Sequence, residues 1–319
     1  MDVAAGIATL GGETMGTSWS VRLVAARNAD LHALHAGIEG QLALVVQQMS
    51  TWESGSAISL FNRAEAGSRH ALPDAFRRVL QCALEIAAAS EGAFDPTIGP
   101  LVGLWGFGAH ARSGAPAAAE LQHERTRVGW QRIHIDADTG HVLQPGDVQL
   151  DLSAIAKGFA VDLVAAHLRD RGVNAALVEV GGELYGYGSK PDGTPWRVLV
   201  EAGPEEDDHS LEPRVLELDG LAVASSGDRW HHYARDGQRY THTIDPRTGA
   251  PRTHAAAGVT VLAEDTMQAD GWATALTVLG SDDGHALAQR LGLAARFLDR
   301  SDDGLQERMT DAFQAHLVH

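Results

Sequence analysis

Cysteine is all but missing from this 319-residue chain, where Cys82 stands alone. A single thiol excludes an intramolecular disulfide framework and any multi-cysteine zinc site. Its setting in an apolar helical run gives it the character of a buried, inert side chain. Positive charge is also scarce: 25 Lys and Arg face 42 Asp and Glu, a net charge of −17. Phosphate backbones and anionic lipid repel a surface of that sign, so nucleic acid and membrane surfaces are not expected partners. A local basic pocket for a small anion stays compatible with it. No run approaches the ~18 apolar residues that span a bilayer. The opening Met1-Asp2-Val3-Ala4-Ala5-Gly6 has no basic segment and no sustained apolar one, so it does not read as a signal peptide.

What is present is ordinary for a folded chain. Hydrophobic residues make up 44% and charged residues 21%, which excludes disorder and low-complexity architectures. The length allows one large domain or two ordinary ones, and no repeat or long linker divides it. The stretches Ala109 to Ala119 and Gly203 to Glu212 read as surface excursions. Glycine is abundant at 35 residues, about 11% against a typical ~7%. That surplus points to turns and to backbone that approaches a ligand closely.

Hydrophobic periodicity predicts four amphipathic helices. Leu31, Leu34, Ile38, Leu42, Val45 and Met49 mark the first, and Phe76 to Ala87 the second. Phe159, Leu163, Val164 and Leu168 mark the third, closed by Arg169, Arg171 and Gly172. The fourth runs from about Thr266 to Leu279 and stops at Gly280. Strands are predicted at Thr17–Val24, Ala175–Val180, Trp196–Val200, Ala222–Ser225 and Gly258–Leu262, with a terminal hairpin turning at Asp302-Asp303-Gly304. Helices and strands alternate irregularly and hairpin signals are common. The expected class is therefore α+β, with largely antiparallel sheets and packed helices.

Four segments combine glycine, proline and short polar residues without periodic reason. The first is Phe94-Asp95-Pro96-Thr97-Ile98-Gly99-Pro100-Leu101 with Trp105 and Phe107 beyond it, a rigid loop suited to gripping a ligand or a turn with an aromatic plug. In the second, a short apolar strand ends at Asp151 and a helix starts within a few residues. Free N–H groups, the dipole end and Lys157 suit a phosphate there, while the plain alternative is an N-cap and a solvated lysine. The glycine-rich phosphate loop of nucleotide hydrolases is absent. The third is Ser225-Ser226-Gly227-Asp228-Arg229 followed by Thr241-His242-Thr243-Ile244-Asp245-Pro246-Arg247-Thr248-Gly249. His242, just before its tight turn, is a candidate proton acceptor. His231, His232, His242 and His254 are close in sequence but match no standard zinc spacing. In the fourth, Ala269-Asp270-Gly271-Trp272-Ala273-Thr274, Asp270 and Thr274 share a helix face one turn apart. A carboxylate and a hydroxyl there are hard oxygen donors of the kind magnesium or calcium uses; otherwise they are a solvated Asp and a back-bonded Thr.

In this order and spacing the segments resemble the ApbE family, the FAD:protein FMN transferases. The likeness also takes in Met15-Gly16-Thr17, Ser50-Thr51-Trp52, Ser56 to Asn62, Gly181-Gly182-Glu183 and Pro191 to Arg197, nearly the whole chain. It implies an ApbE-like architecture related to the T-fold, either a single flavin transferase domain over 1–319 or two intertwined lobes with the site between them. It implies FAD as substrate, Mg2+ as cofactor, and an acceptor flavoprotein bearing a Thr or Ser hydroxyl that receives FMN as AMP leaves. By position, Met15, Trp52, Ala93, Phe94, Asp95, Asp151, Lys157 and Ile244 correspond to flavin-nucleotide contacts. Asp270 and Thr274 correspond to side-chain metal ligands, and Ala154 to a backbone carbonyl ligand. Trp52 stands where many members carry Tyr, and its face can equally stack on a flat ring. The family's acylated-cysteine leader is not in this sequence, and a periplasmic location comes from the family alone.

A metal bridging phosphate oxygens would neutralise the charge that grows during diphosphate cleavage. His242 is the candidate base for the acceptor hydroxyl. Two other functions use the same residues: an FAD pyrophosphatase, with water replacing the acceptor, and a flavin-binding protein without turnover. Metal ligands at Asp270 and Thr274 count against simple storage.

Overall fold

Eight strands form one antiparallel sheet in which each neighbour in space is also the next sheet strand in the chain. The computed structural model describes residues 6–108, 116–200, 211, 213–227, 232–235, 238–241, 243–251, 257–301 and 304–318. The strands are β1 (Gly6–Thr14), β2 (Thr17–Ala25), β3 (Ala176–Val180), β4 (Glu183–Tyr187), β5 (Leu221–Ser226), β6 (Gly258–Ala263), β7 (Ala294–Ser301) and β8 (Gly304–Met309). Two-residue turns close two of the hairpins. Met15-Gly16 joins β1 to β2 and Gly181-Gly182 joins β3 to β4, with positive φ at all four positions, as a type I′ hairpin turn requires.

Among the described residues, five helices of eleven residues or more accompany the sheet: α1 (Leu31–Met49), α2 (Asp74–Ala89), α3 (Ala156–Asp170), α4 (Thr266–Leu279) and α5 (Ser281–Leu291). α3 lies on β3 and β4, and α4 on β5 and β6. Period-two alternation divides the central strands between two cores. Val21, Val178, Ala224, Val259 and Val261 face the helices, in a cluster that includes Ile38, Leu42, Phe159 and Leu276. Leu177, Val223 and Leu262 face the other way, against Trp196, Leu216 and Leu218 of a second hairpin (Trp196–Val200 with Arg214–Leu218) and Phe313 near the C-terminus. With both faces covered, these strands carry apolar residues on both sides. A third, small cluster gathers Leu101, Trp105 and Ile244.

The antiparallel α+β class expected from the sequence is the class observed. The predicted strands and the four periodic helices all form, with ends shifted by a few residues at most. One local reading is corrected. The chain before Asp151 is not a strand: Gln149 makes an isolated bridge to Ile98, and Asp151 N–H donates to the Pro96 carbonyl in an irregular segment. The loop-like stretches fall mostly at 109–115 and 203–210, outside the described residues, as do 302 and 303 of the terminal turn.

Candidate functional site

Strand register brings the functional segments to one end of the sheet. Trp19 pairs with Val180 and Val180 with Glu183, while Ser226 at the end of β5 pairs with Val259 near the start of β6. The N-terminus of α3 and the middle of α4 meet over that end. Their close approach depends on Gly158, where an added Cβ would lie 2.3 Å from the Thr266 carbonyl oxygen and 2.8 Å from Asp270 Cβ. Asp162, a turn further along α3, accepts hydrogen bonds from the first two backbone N–H groups of α4, Thr266 at 2.8 Å and Met267 at 2.9 Å. One helix thus supplies part of the other's cap and fixes its entry angle.

This packing releases a backbone acceptor. In a regular helix the Gly158 N–H would bond the carbonyl four residues back, that of Ala154. Instead it donates to Asp270 Oδ2 at 2.9 Å. The Ala154 carbonyl is left with no donor among the described residues. The Thr274 hydroxyl has no such partner either, whereas Thr277 back-bonds to Ala273 at 2.8 Å. A carboxylate, a hydroxyl and a carbonyl, all oxygen, therefore line one cleft with coordinating capacity to spare. That set suits a hard divalent cation such as Mg2+.

The cleft has a volume of about 620 Å³. It is lined by apolar side chains, with Trp52, Phe94, Ile98, Val102, Phe107 and Ile244, and by polar ones, with Asp151, Ser153, Lys157, Glu183, Ser225, Ser226, Thr243, Asp270 and Thr274. The polar lining includes a charge cluster. Lys157 Nζ lies 2.6 Å from Glu183 Oε1 and 3.7 Å from Asp270 Oδ1. Burial opposes the ammonium, yet the two carboxylates together raise the Lys157 pKa above the ordinary lysine value. Burial pushes the Glu183 carboxyl up, and the Asp270 charge adds to this, while Lys157 pulls it down. Glu183 is 3% exposed and Asp270 4%. Glu183 Oε2 is buried and meets no donor from another described residue.

Of the twelve residues singled out from the sequence, eleven are described and ten of those line the cleft: Trp52, Ala93, Phe94, Asp95, Asp151, Ala154, Lys157, Ile244, Asp270 and Thr274. Met15 does not; it sits in the β1–β2 turn, partly buried against the main core. His242 lies outside the described residues. So do His231 and His254, and the side chain of His232. Among the described residues no three His, Cys, Asp or Glu side chains converge as a metal site. Trp52 is 66% exposed at the cleft mouth, an aromatic face open to a ring. Asp95 has a structural task as well: Oδ1 accepts from Thr97 N–H at 2.8 Å and Oγ1 at 2.6 Å, and Oδ2 from Trp130 N–H at 3.0 Å. Lys157 is neither a solvated lysine nor a free cation, because Glu183 already holds it. Glu183 itself was not among the twelve. Its sequence signal is a carboxylate directly after the Gly-Gly turn, at the start of a strand that continues Leu184-Tyr185-Gly186-Tyr187.

The ApbE family's sequence profile matches residues 15–297. An FAD:protein FMN transferase of Vibrio cholerae serotype O1 is 37% identical over 310 residues, covering 97% of this chain and 92% of that protein. The apo crystal structure of the Pseudomonas stutzeri flavinyl transferase ApbE superposes with a TM-score of 0.91 at 39% identity, covering 99% of this chain and 98% of that one. An ApbE protein of Thermotoga maritima superposes with a TM-score of 0.85 at 26% identity, covering 98% of this chain and all of that one.

Proposed function

Because the chain belongs to the ApbE family, we propose that it moves the FMN half of FAD onto a Thr or Ser hydroxyl of an acceptor flavoprotein, releasing AMP, with Mg2+ as cofactor. The observation that carries this reading is the convergence of Asp270, Thr274 and the released Ala154 carbonyl beside Lys157 in one cleft. Those three oxygens would hold the ion. When bound it would neutralise charge on the diphosphate. The apolar lining, which includes Trp52 and Ile244, suits an isoalloxazine, and the polar lining suits the diphosphate. The start of α3 adds its dipole end and the Lys157 N–H, which meets no described acceptor. The chain works as one unit over 1–319, with the cleft between the large core that contains Phe94 and the small cluster that contains Ile244. His242 takes the proton of the acceptor hydroxyl.

The test is incubation with FAD, Mg2+ and a candidate acceptor, followed by a search for flavin fluorescence on the acceptor in a denaturing gel. A fluorescent acceptor band that needs both Mg2+ and FAD supports the transferase. FMN and AMP produced at the same rate with and without acceptor, and no labelled band, would make the protein a pyrophosphatase. FAD retained without turnover would make it a binder.

A further inference from the structure

Glu183 is hard to explain as a structural residue. It is 3% exposed, its Oε1 is 2.6 Å from Lys157 Nζ, and its Oε2 meets no donor from another described residue. A buried carboxylate oxygen so placed costs stability. The gain must lie in what the carboxylate does to its neighbour. Lys157 is 2.6 Å from Glu183 but 3.7 Å from Asp270, so the ammonium is in close contact with the first and in a looser ion pair with the second. Asp270 has one oxygen taken by Gly158 N–H, leaving Oδ1 as the oxygen facing Lys157. A divalent cation and the ammonium would compete for that single oxygen.

We propose that Glu183 is a positioning residue that acts through Lys157: it is the counter-ion that keeps the ammonium off Asp270 Oδ1, so that this oxygen stays available to a divalent cation. The inference rests on the cleft's being a cation and FAD site. It concerns the division of labour between the two carboxylates, with Asp270 serving the ion and Glu183 serving the lysine. Charge bookkeeping gives it a signature that a structural role lacks. Two carboxyl groups share one ammonium. Glu183→Gln keeps the shape and an acceptor for Lys157 but removes its nearer counter-charge. The lysine then turns to Asp270. Cation binding weakens, whereas an anionic diphosphate meets one more unit of positive charge and binds as well or better.

The experiment uses the full chain. Mn2+ binding is measured by electron paramagnetic resonance and Mg2+ binding by calorimetry, both without flavin, and FAD binding by fluorescence quenching with a chelator present. Wild type, Glu183→Gln, Glu183→Gln/Lys157→Gln and Asp270→Ala are compared. The expected result for Glu183→Gln is cation affinity weakened about tenfold, the scale of one unit charge a few ångströms away in a partly shielded site, with FAD affinity retained or raised. In the double variant the competing cation is gone and metal affinity recovers. Unchanged metal affinity in Glu183→Gln, or a joint loss of metal and FAD that the second substitution does not restore, would overturn the proposal. If Glu183→Gln does not fold by circular dichroism, Lys157→Gln alone carries the test: metal affinity should rise and FAD affinity fall, and a fall in both refutes it. A wild type whose cation binding is indifferent to Asp270→Ala removes the cleft reading and this inference together. A wild type that loses its cation with Asp270→Ala but ignores Glu183→Gln removes the inference only.

Discussion

At the scale of single residues, the cleft is built from groups that the backbone has deliberately left unsatisfied or doubly used. Gly158 illustrates the first: its N–H leaves the helical ladder for Asp270, and the Ala154 carbonyl becomes free. Asp270 then has two tasks, holding the start of α3 with Oδ2 and offering Oδ1 to the cleft. Asp270→Ala is expected to abolish Mg2+-dependent FAD turnover while the far-ultraviolet circular dichroism stays near that of the parent. Full activity at limiting Mg2+ in that variant would dismiss Asp270 as a ligand. His242→Ala tests the proton acceptor. Transfer should slow by ~10²–10⁴-fold, the usual loss for a general base, with FAD affinity little changed. A collapse of FAD binding would instead make His242 a contact to the nucleotide.

At the scale of elements, the junction of α3 with α4 is what positions the site, and two side chains of α3 report on it. Asp162 caps the first two N–H groups of α4 from the neighbouring helix. Asp162→Ala leaves those donors buried without an acceptor and should lower unfolding free energy by about 1–3 kcal/mol, read from a urea midpoint. Asp270 sits one turn into the same helix, so weaker metal binding should accompany the loss. His167 lies at the other end of α3, where Nδ1 faces the Arg171 guanidinium at 3.0 Å. Nδ1 is therefore the acceptor and the proton sits on Nε2, which is buried without a partner among the described residues. Against α1 there is no room to spare: a Cβ on Gly37 would lie 2.2 Å from that nitrogen. Burial first, and the Arg171 charge second, lower its pKa from 6.5. The folded state then binds fewer protons than the unfolded one below that pH, so stability falls as pH drops through about 6.5. In urea titrations His167→Gln should flatten this acid limb. An unchanged slope would show that His167 is not its source.

The same elements show what the sequence could and could not convey. α1 was legible because its apolar residues repeat at three and four, and α4 because it ends in a clear stop at Gly280. β4 was not, because Glu183-Leu184-Tyr185-Gly186-Tyr187 opens on a buried charge and carries a glycine. Its place in the sheet is set by the Gly181-Gly182 turn and by pairing with β5. That Asp270 and Thr274 share a helix face was readable from spacing alone, and both line the cleft. The state of Lys157 was not, since its partner lies 26 residues away on a strand. Local pattern places a side chain on an element, but only the register of distant strands decides what faces it. Long-range charge pairing leaves no periodic trace.

At the scale of the whole molecule, a net charge of −17 bears on the proposed chemistry, in which an anionic substrate and a cationic cofactor share one cleft. The far field attracts the cation and repels the nucleotide, whereas the local terms at the start of α3 are short-ranged and partly buried. Salt separates the two contributions. Raising ionic strength from roughly 10 to 150 mM shortens the screening length from about 30 to about 8 Å, which removes the far field and spares contacts a few ångströms long. The association rate of FAD, followed by stopped-flow fluorescence quenching, is therefore expected to rise a few-fold over that range with a chelator present. Mg2+ affinity, followed by calorimetry in the same buffers, should weaken, because the field no longer concentrates cations at the surface. An FAD association rate that falls with salt would mean that the cleft presents net positive charge at long range. That would require the described Lys157, Glu183 and Asp270 cluster, in which one ammonium faces two carboxyl groups, to be outweighed by basic groups nearer the mouth.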